Sequence, residues 1–251
     1  MPLTIFVTGA TAGFGRAIAT RFVRDGHRVI AAGRRRDRLD ALAAELGPSL
    51  LAFAMDVTDT AAVDALPRSL PADWSAVDVL VNNAGLALGL EPAHRASLAD
   101  WDQMVATNIT GLIHMTRALL PGMVERNRGH IVNLGSIAGT YPYPGGHVYG
   151  ASKAFVKQFS LNLRADLVGT GVRVTDLEPG LCGGTEFSSV RFRGDTDKAA
   201  SVYAGTQPLS AEDIAEATAW VVGLPAHFNV NRMEIMPTCQ APGPLAVKRA
   251  V

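Results

Sequence analysis

Short apolar runs alternate with stretches of helical pattern along almost the whole chain, and this alternation constrains the fold more than any other feature. Runs of strand length occupy residues 3–7, 28–32, 50–55, 77–81, 130–134, 171–177 and 232–236. Helical patterns fill the gaps at 14–25, 36–46, after Asp59, at 98–108 and 109–126, from Tyr149 to about 168, and at 211–222. Apolar strands separated by helices predict a parallel sheet covered on both faces. The expected architecture is one α/β domain over residues 1–251, a doubly wound, mostly parallel sheet of seven strands. Residues 181–209, rich in Gly, Ser, Thr, Arg and Asp, break the pattern. They are expected to form a substrate lid, since long structureless loops inside a domain are otherwise uncommon. The tail, 237–251, carries three prolines and is expected on a surface or subunit contact.

Composition narrows the function. Lys plus Arg and Asp plus Glu number 23 each, so no global field points to nucleic acid or an anionic membrane. The six histidines show no ligand-like spacing, and no metal is expected. Cys182 and Cys239 form no C-x-x-C pair, which suits a reducing compartment. The amino terminus has a short apolar run without a basic stretch and reads as a first strand rather than a signal peptide. No segment approaches the ~20 apolar residues of a membrane span, so a cytoplasmic protein is expected.

The first strand runs into T-G-A-T-A-G-F-G (8–15), which contains Gly9, Thr11, Ala12, Gly13, Phe14 and Gly15 and opens a helix. Glycines permit the tight turn and let helix-start N–H groups approach a pyrophosphate. A glycine-rich turn alone is a weak signal; its place between strand and helix strengthens it. NAD sites usually carry an acid at the end of the second strand. Here Gly33 stands there, followed by Arg34, Arg35, Arg36, Asp37 and Arg38. An arginine fork suits a phosphate, so NADP is expected, with Arg34 and Arg35 as contacts and Arg36 and Arg38 as a solvated helix start. Asp56 and Val57 end the third strand, where a carboxylate can meet an adenine amino group. Asn83 and Gly85, in N-N-A-G (82–85), would hold backbone against the adenosine half, while Asn82 reads as structural.

Tyr149 and Lys153 are one helical turn apart, so a helix would place both on one face. An ammonium there favours phenolate over phenol and would bring the tyrosine towards the range of a general acid/base. Ser136, at the end of the buried run 130–134, would offer a hydroxyl to the same reacting oxygen. Alone, Tyr-x-x-x-Lys is common; with the amino-terminal turn it is informative.

Taken together, T-G-A-T-A-G-F-G, N-N-A-G, Asn108, Ser136, Y-G-A-S-K and Pro179-Gly180 make the chain resemble the short-chain dehydrogenase/reductase family over nearly its full length. The stretches 82–94, 120–127 and 178–188 resemble most closely its NADP-dependent 3-hydroxy acid dehydrogenases, which act on serine, L-allo-threonine and related acids and reduce malonic semialdehyde. The resemblance implies a Rossmann fold and assigns Tyr149 as proton donor or acceptor and Ser136 as hydrogen-bond donor. It makes Lys153 a ligand of the nicotinamide ribose as well as the depressor of the tyrosine. Asn108 would kink its helix and hold a water linking Lys153 to solvent. Ala12 departs from relatives with Lys or Arg at that position, so selection for the 2′-phosphate rests on Arg34 and its neighbours. The family also implies a homotetramer, with which the apolar faces of Leu112, Met115, Leu119, Phe155, Phe159 and Leu163 are compatible, as they are with ordinary core.

A 3-hydroxy acid needs a cation for its carboxylate. Arg191 or Arg193 of the expected lid could supply it; pairing with Glu186 or Asp195 at the surface is the alternative. Gly184 and Thr185, with Pro179 and Gly180, are expected at the nicotinamide carboxamide and pyrophosphate. His147 could line the pocket, though a turn histidine is the simpler reading. Competing functions are a general carbonyl or 3-ketoacyl reductase on the same fold, and a non-catalytic NADP-sensing regulator. The second would be expected to have lost Tyr149 or Lys153.

Overall fold

A computed structural model describes residues 2–243. The expected strands are present as β1 (Thr4–Thr8), β2 (Arg28–Gly33), β3 (Leu50–Ala54), β4 (Val79–Asn82), β5 (Gly129–Leu134), β6 (Val172–Pro179) and β7 (Arg232–Ile235). They pair in the order β3-β2-β1-β4-β5-β6-β7. Every pairing is parallel, so the sheet is fully rather than mostly parallel. The order reverses between β1 and β4, which opens a crevice at the carboxyl ends of those strands.

Alternation along each strand builds two cores. Ile5 and Val7 face one side with Val29 and Ala31, under α1 (Gly13–Arg24), α2 (Arg36–Leu46) and, later in the chain, α9 (Ala211–Gly223). Phe6 and Ile30 face the other side with Leu80 and Ile131. There they meet α3 (Thr60–Ser69) through Val63 and Leu66, and α5 (Leu112–Glu125) through Met115, Leu119 and Met123. This is the Rossmann-like doubly wound arrangement, and burial of such a two-sided sheet is its main driving force.

Two expectations change. The helices around Asn108 do not break. α4 (Leu98–Val105) continues through a π turn, Ala106–Gly111, directly into α5. Residues 181–209 are not structureless, because they carry α7 (Phe187–Arg191) and α8 (Thr196–Ser201). The Asp195 side chain caps α8 by accepting from Lys198 N, a local device that keeps so short a helix in place. Of the expected surface tail, residues 244–251 lie outside the described part. The long α6 (His147–Asp166) begins right after the glycine pair Gly145-Gly146 and brings Tyr149 and Lys153 to the crevice in its first two turns. Leu112, Met115, Leu119 and Leu163 are buried in the chain's own core, whereas Phe155 and Phe159 stack at 5.7 Å on a half-buried face.

Candidate active site

The crevice is a cleft of about 330 Å³ running from the glycine turn past Arg34, Asp56 and Gly85 to Tyr149, Lys153 and Thr185. At its amino-terminal end the backbone leaves no room for side chains. A Cβ at Gly15 would press into the Gly9 carbonyl and lie 2.5 Å from Asn83 Nδ2. Asn83 Nδ2 donates to Thr8 O at 2.8 Å, and Thr8 Oγ1 accepts from the N–H groups of Asn83 and Ala84 at 3.0 and 2.9 Å. Asn83 therefore ties the end of β4 to the turn. Asn82 bonds Thr116 and Asn133 in the interior and is structural, as expected. A side chain at Gly33 would meet Thr11 Cγ2 at 2.7 Å, so the place of the usual acid is filled by Thr11.

The arginines divide differently from expectation. Arg34 is largely exposed, and its nearest carboxylate, Asp56, is 4.0 Å away. Asp56 meanwhile takes the Thr58 N–H and hydroxyl at 2.9 and 2.8 Å. Arg35 is occupied: its Nε and Nη2 donate to Thr11 Oγ1 at 3.2 and 2.8 Å, and Nη1 donates to Glu186 at 2.8 Å. Arg38, expected to be solvated, also reaches Glu186, at 2.6 Å. Arg36 pairs with Asp40 one turn on and is the solvated residue of the group.

At the other end of the cleft, Tyr149 is half-buried, with its ring edge-to-face with Phe187 at 5.7 Å. Desolvation pushes its phenol up to about 12, while the Ser136 hydroxyl and the charge of Arg191 act in the opposite direction. The ammonium was expected to dominate, but desolvation does. Lys153 Nζ donates to Leu134 O at 2.6 Å and lies 5.9 Å from the Tyr149 ring centroid. Burial lowers Lys153 to about 8, against a rise from Asp176. Ser136 Oγ accepts from Ala138 N at 3.1 Å, holding the hydroxyl at the carboxyl end of β5. Asn108 is buried in the π turn, exchanges hydrogen bonds with Leu86 N and O at 2.9 Å each, and donates to Ser152. A Cβ at Gly85 would sit 3.3 Å from Asn108 Oδ1 and 3.5 Å from Lys153 Nζ, so the two side chains converge there.

Of the excursion's arginines, Arg191 turns inward. Its guanidinium carbon lies 5.3 Å from the Tyr149 ring centroid and 5.5 Å from Phe187, and Nη2 donates to Tyr143 Oη. Arg193 turns away and pairs with Asp100 at 2.6 Å, so of the two only Arg191 meets the tyrosine. Glu186, the alternative surface partner of these arginines, instead takes Arg35 and Arg38. Thr185 lines the cleft, and a Cβ on Gly13 would contact it at 3.2 Å. Pro179 and Gly180 sit one layer back: Ser136 Oγ donates to Pro179 O at 3.5 Å, and Gly180 N bonds Ile235 O at 2.7 Å. Gly184 has φ +69, the turn conformation that presents Thr185. His147 bonds Glu91 O at 3.1 Å and meets Trp101 edge-to-face, as a turn histidine would. Phe187, Tyr143 and Arg38 were not anticipated; the apolar residues following Thr185 were the only signal for the first. Among the described residues no cluster could hold a metal and no helix is long and apolar enough to cross a membrane.

A family model described as short chain dehydrogenase matches residues 3–195. The chain is 63% identical over 248 residues to the NADP-dependent 3-hydroxy acid dehydrogenase YdfG of Salmonella typhi, covering 99% of this chain and 100% of that protein. To the serine 3-dehydrogenase of Agrobacterium fabrum it is 51% identical over 238 residues, 95% of each chain. A solved serine dehydrogenase, in its closed form complexed with NADP+, is 61% identical and superposes with a TM-score of 0.93 over 94% of this chain and 96% of that one. Fold, cleft and kinship converge, and the chain belongs to the short-chain dehydrogenase/reductase family.

Proposed function

We propose that this protein is an NADP-dependent dehydrogenase of small 3-hydroxy acids, interconverting serine, L-allo-threonine or 3-hydroxypropionate with the 3-oxo form, malonic semialdehyde included. The observation that carries the reading is Arg191, a guanidinium 5.3 Å from the ring of the acid/base tyrosine. In a 3-hydroxy acid the carboxylate is two carbons from the carbinol, so one molecule can meet both groups. The 63%-identical relative named for this activity supports it. NADP suits the other end of the cleft: the turn excludes side chains where a pyrophosphate needs backbone, no acid stands at Gly33, and the Arg34 guanidinium is open. When bound, the cofactor supplies or accepts the hydride.

The chain's own residues handle the proton and the charge. A phenol held near 12 is protonated at neutral pH, so Tyr149 stands ready to donate to a carbonyl oxygen in reduction. Oxidation needs the phenolate, which the Ser136 hydroxyl, the Lys153 ammonium and Arg191 all favour. Ser136 holds the reacting oxygen, and Lys153 orients the nicotinamide ribose. Asn108 connects Lys153 to solvent through a water. Gly9, Thr11, Ala12, Gly13, Phe14 and Gly15 receive the pyrophosphate; Asp56, Val57, Asn83 and Gly85 flank the adenosine half. Pro179, Gly180, Gly184 and Thr185 border the nicotinamide end, and residues 181–209 close over it as a lid. A cytoplasmic homotetramer is the expected form, with Phe155 and Phe159 and the exposed Leu98, Val105 and Val124 on α4 and α5 as candidate contacts.

Initial rates with NADP+ and NAD+ against the three acids, and with NADPH against malonic semialdehyde, test this. A strong NADP preference with activity confined to acids is expected. NADPH consumption with uncharged ketones or aldehydes only would sink the acid assignment and leave a general carbonyl reductase.

A further inference from the structure

Directly behind the Lys153 ammonium lies a carboxyl with no assigned task. Asp176, on β6, is fully buried, and neither of its oxygens has a hydrogen-bond donor. It pairs in register with Asn133, and its carboxyl packs on the loop after β5 so closely that a Cβ at Gly135 would overlap Oδ1. The Leu134–Gly135 peptide is thus bracketed: Lys153 bonds its carbonyl at 2.6 Å, and Asp176 abuts its glycine. Ser136 follows immediately.

The charged groups that face Asp176 are few. Glu178, two residues on along the same strand, is 1% exposed and is held by Arg232 of β7 through Nε at 3.0 Å and Nη2 at 2.6 Å. Lys153 approaches from α6, bonded to Leu134 O. Glu234 on β7 bonds Tyr141 Oη at 3.2 Å and belongs to the same acidic neighbourhood. Two buried carboxylates therefore face one guanidinium, and an unpaired buried charge is costly. No ion pair between Asp176 and Lys153 resolves it. A proton between the Asp176 and Glu178 carboxyls does, and it explains how Asp176, whose oxygens have no other donor, can lie beside the carboxylate that Arg232 holds. Burial and Glu178 together raise Asp176 to about 8.

We propose that Asp176 is a positioning residue for Lys153: a buried carboxyl that shares its proton with Glu178 and, on losing it as the medium turns alkaline, becomes the charge that holds the ammonium beside Tyr149. The proton passes to a solvent base, and the carboxylate left behind becomes the counter-charge that Lys153 otherwise lacks. The pair titrates as a unit, and Asp176 sets the alkaline boundary of activity. The kinetic part of this inference rests on the dehydrogenase reading above; the protonation state does not.

Two measurements on the full chain separate the two. Carbon-13 at the aspartate carboxyls, followed by NMR, should show one aspartate that stays protonated at neutral pH and titrates on the alkaline side, and its signal should vanish in D176N. An aspartate set that is fully ionised at neutral pH would overturn the shared proton, whether or not the variant folds. In pH–rate profiles of kcat/KM, each normalised to its own maximum, D176N should bring the alkaline limb down by about one pH unit, a tenfold loss one unit above the limb. An unmoved limb would overturn the influence on Lys153. Absence of any dehydrogenase activity in the wild type would instead count against the proposed function and leave the NMR result standing.

Discussion

The two ends of the cleft are built by different physics. At the glycine turn the backbone of β1 and α1 is locked to β4 by Thr8 and Asn83, and Gly15 has no space for a methyl group. At the opposite end, residues 181–209 rest on the core through Cys182 and Leu209 and on Tyr149 through Phe187, and are tied across the cleft by charged side chains: Glu186 to Arg35 and Arg38, Arg193 to Asp100, Arg191 to Tyr143. Such half-exposed pairs contribute roughly 0–1 kcal/mol each and weaken with salt. The first end is preformed and intolerant of change in shape. The second is the proposed lid, and it is expected to respond to changes in charge.

That contrast can be broken or sharpened by substitution. The largest effect is expected at the tyrosine end. Tyr149→Phe should lower kcat by about 10²–10⁴-fold, the scale of a general acid/base, with an unchanged thermal melt; residual turnover near wild type would remove Tyr149 from the chemistry. Gly15→Ala is next. By pushing the turn apart it should weaken NADP binding by about tenfold or more and cost about 1–3 kcal/mol of stability, both readable by titration and by denaturant melts. Arg34→Ala should raise the KM for NADP about tenfold while leaving NAD unaffected, since a charge-assisted contact to the 2′-phosphate is lost. Smallest is Glu186→Gln, a few-fold rise in KM that disappears at high salt, as expected of a screened pair. A salt-independent loss there would mean that the excursion is held by packing instead.

Much of this was legible in the chain. The apolar runs had one consistent folding solution, and Gly9, Gly13 and Gly15 mark a turn whose requirements are local. Tyr149 and Lys153 are legible because helical spacing fixes their side. What escaped depends on partners distant in sequence. Nothing near Arg38 signals Glu186, 148 residues away, and nothing near Arg193 signals Asp100. The π turn escaped because Asn108 resembles a helix breaker until its bonds to Leu86 are seen. The direction of the Tyr149 shift depends on how much solvent Phe187 and Arg191 exclude, and only the packed structure shows that. Asp176 was passed over as one polar residue in a strand because its isolation is a property of the interior.

The central claim is that Arg191 makes this tyrosine site an acid-selective one. It is tested most directly by kcat/KM of wild type and Arg191→Ala for 3-hydroxypropionate and for an uncharged alcohol of similar size. The account predicts a loss of about 10–100-fold for the acid and little change for the alcohol, the signature of a lost charge-assisted contact. Equal losses for both, or none for either, would contradict it.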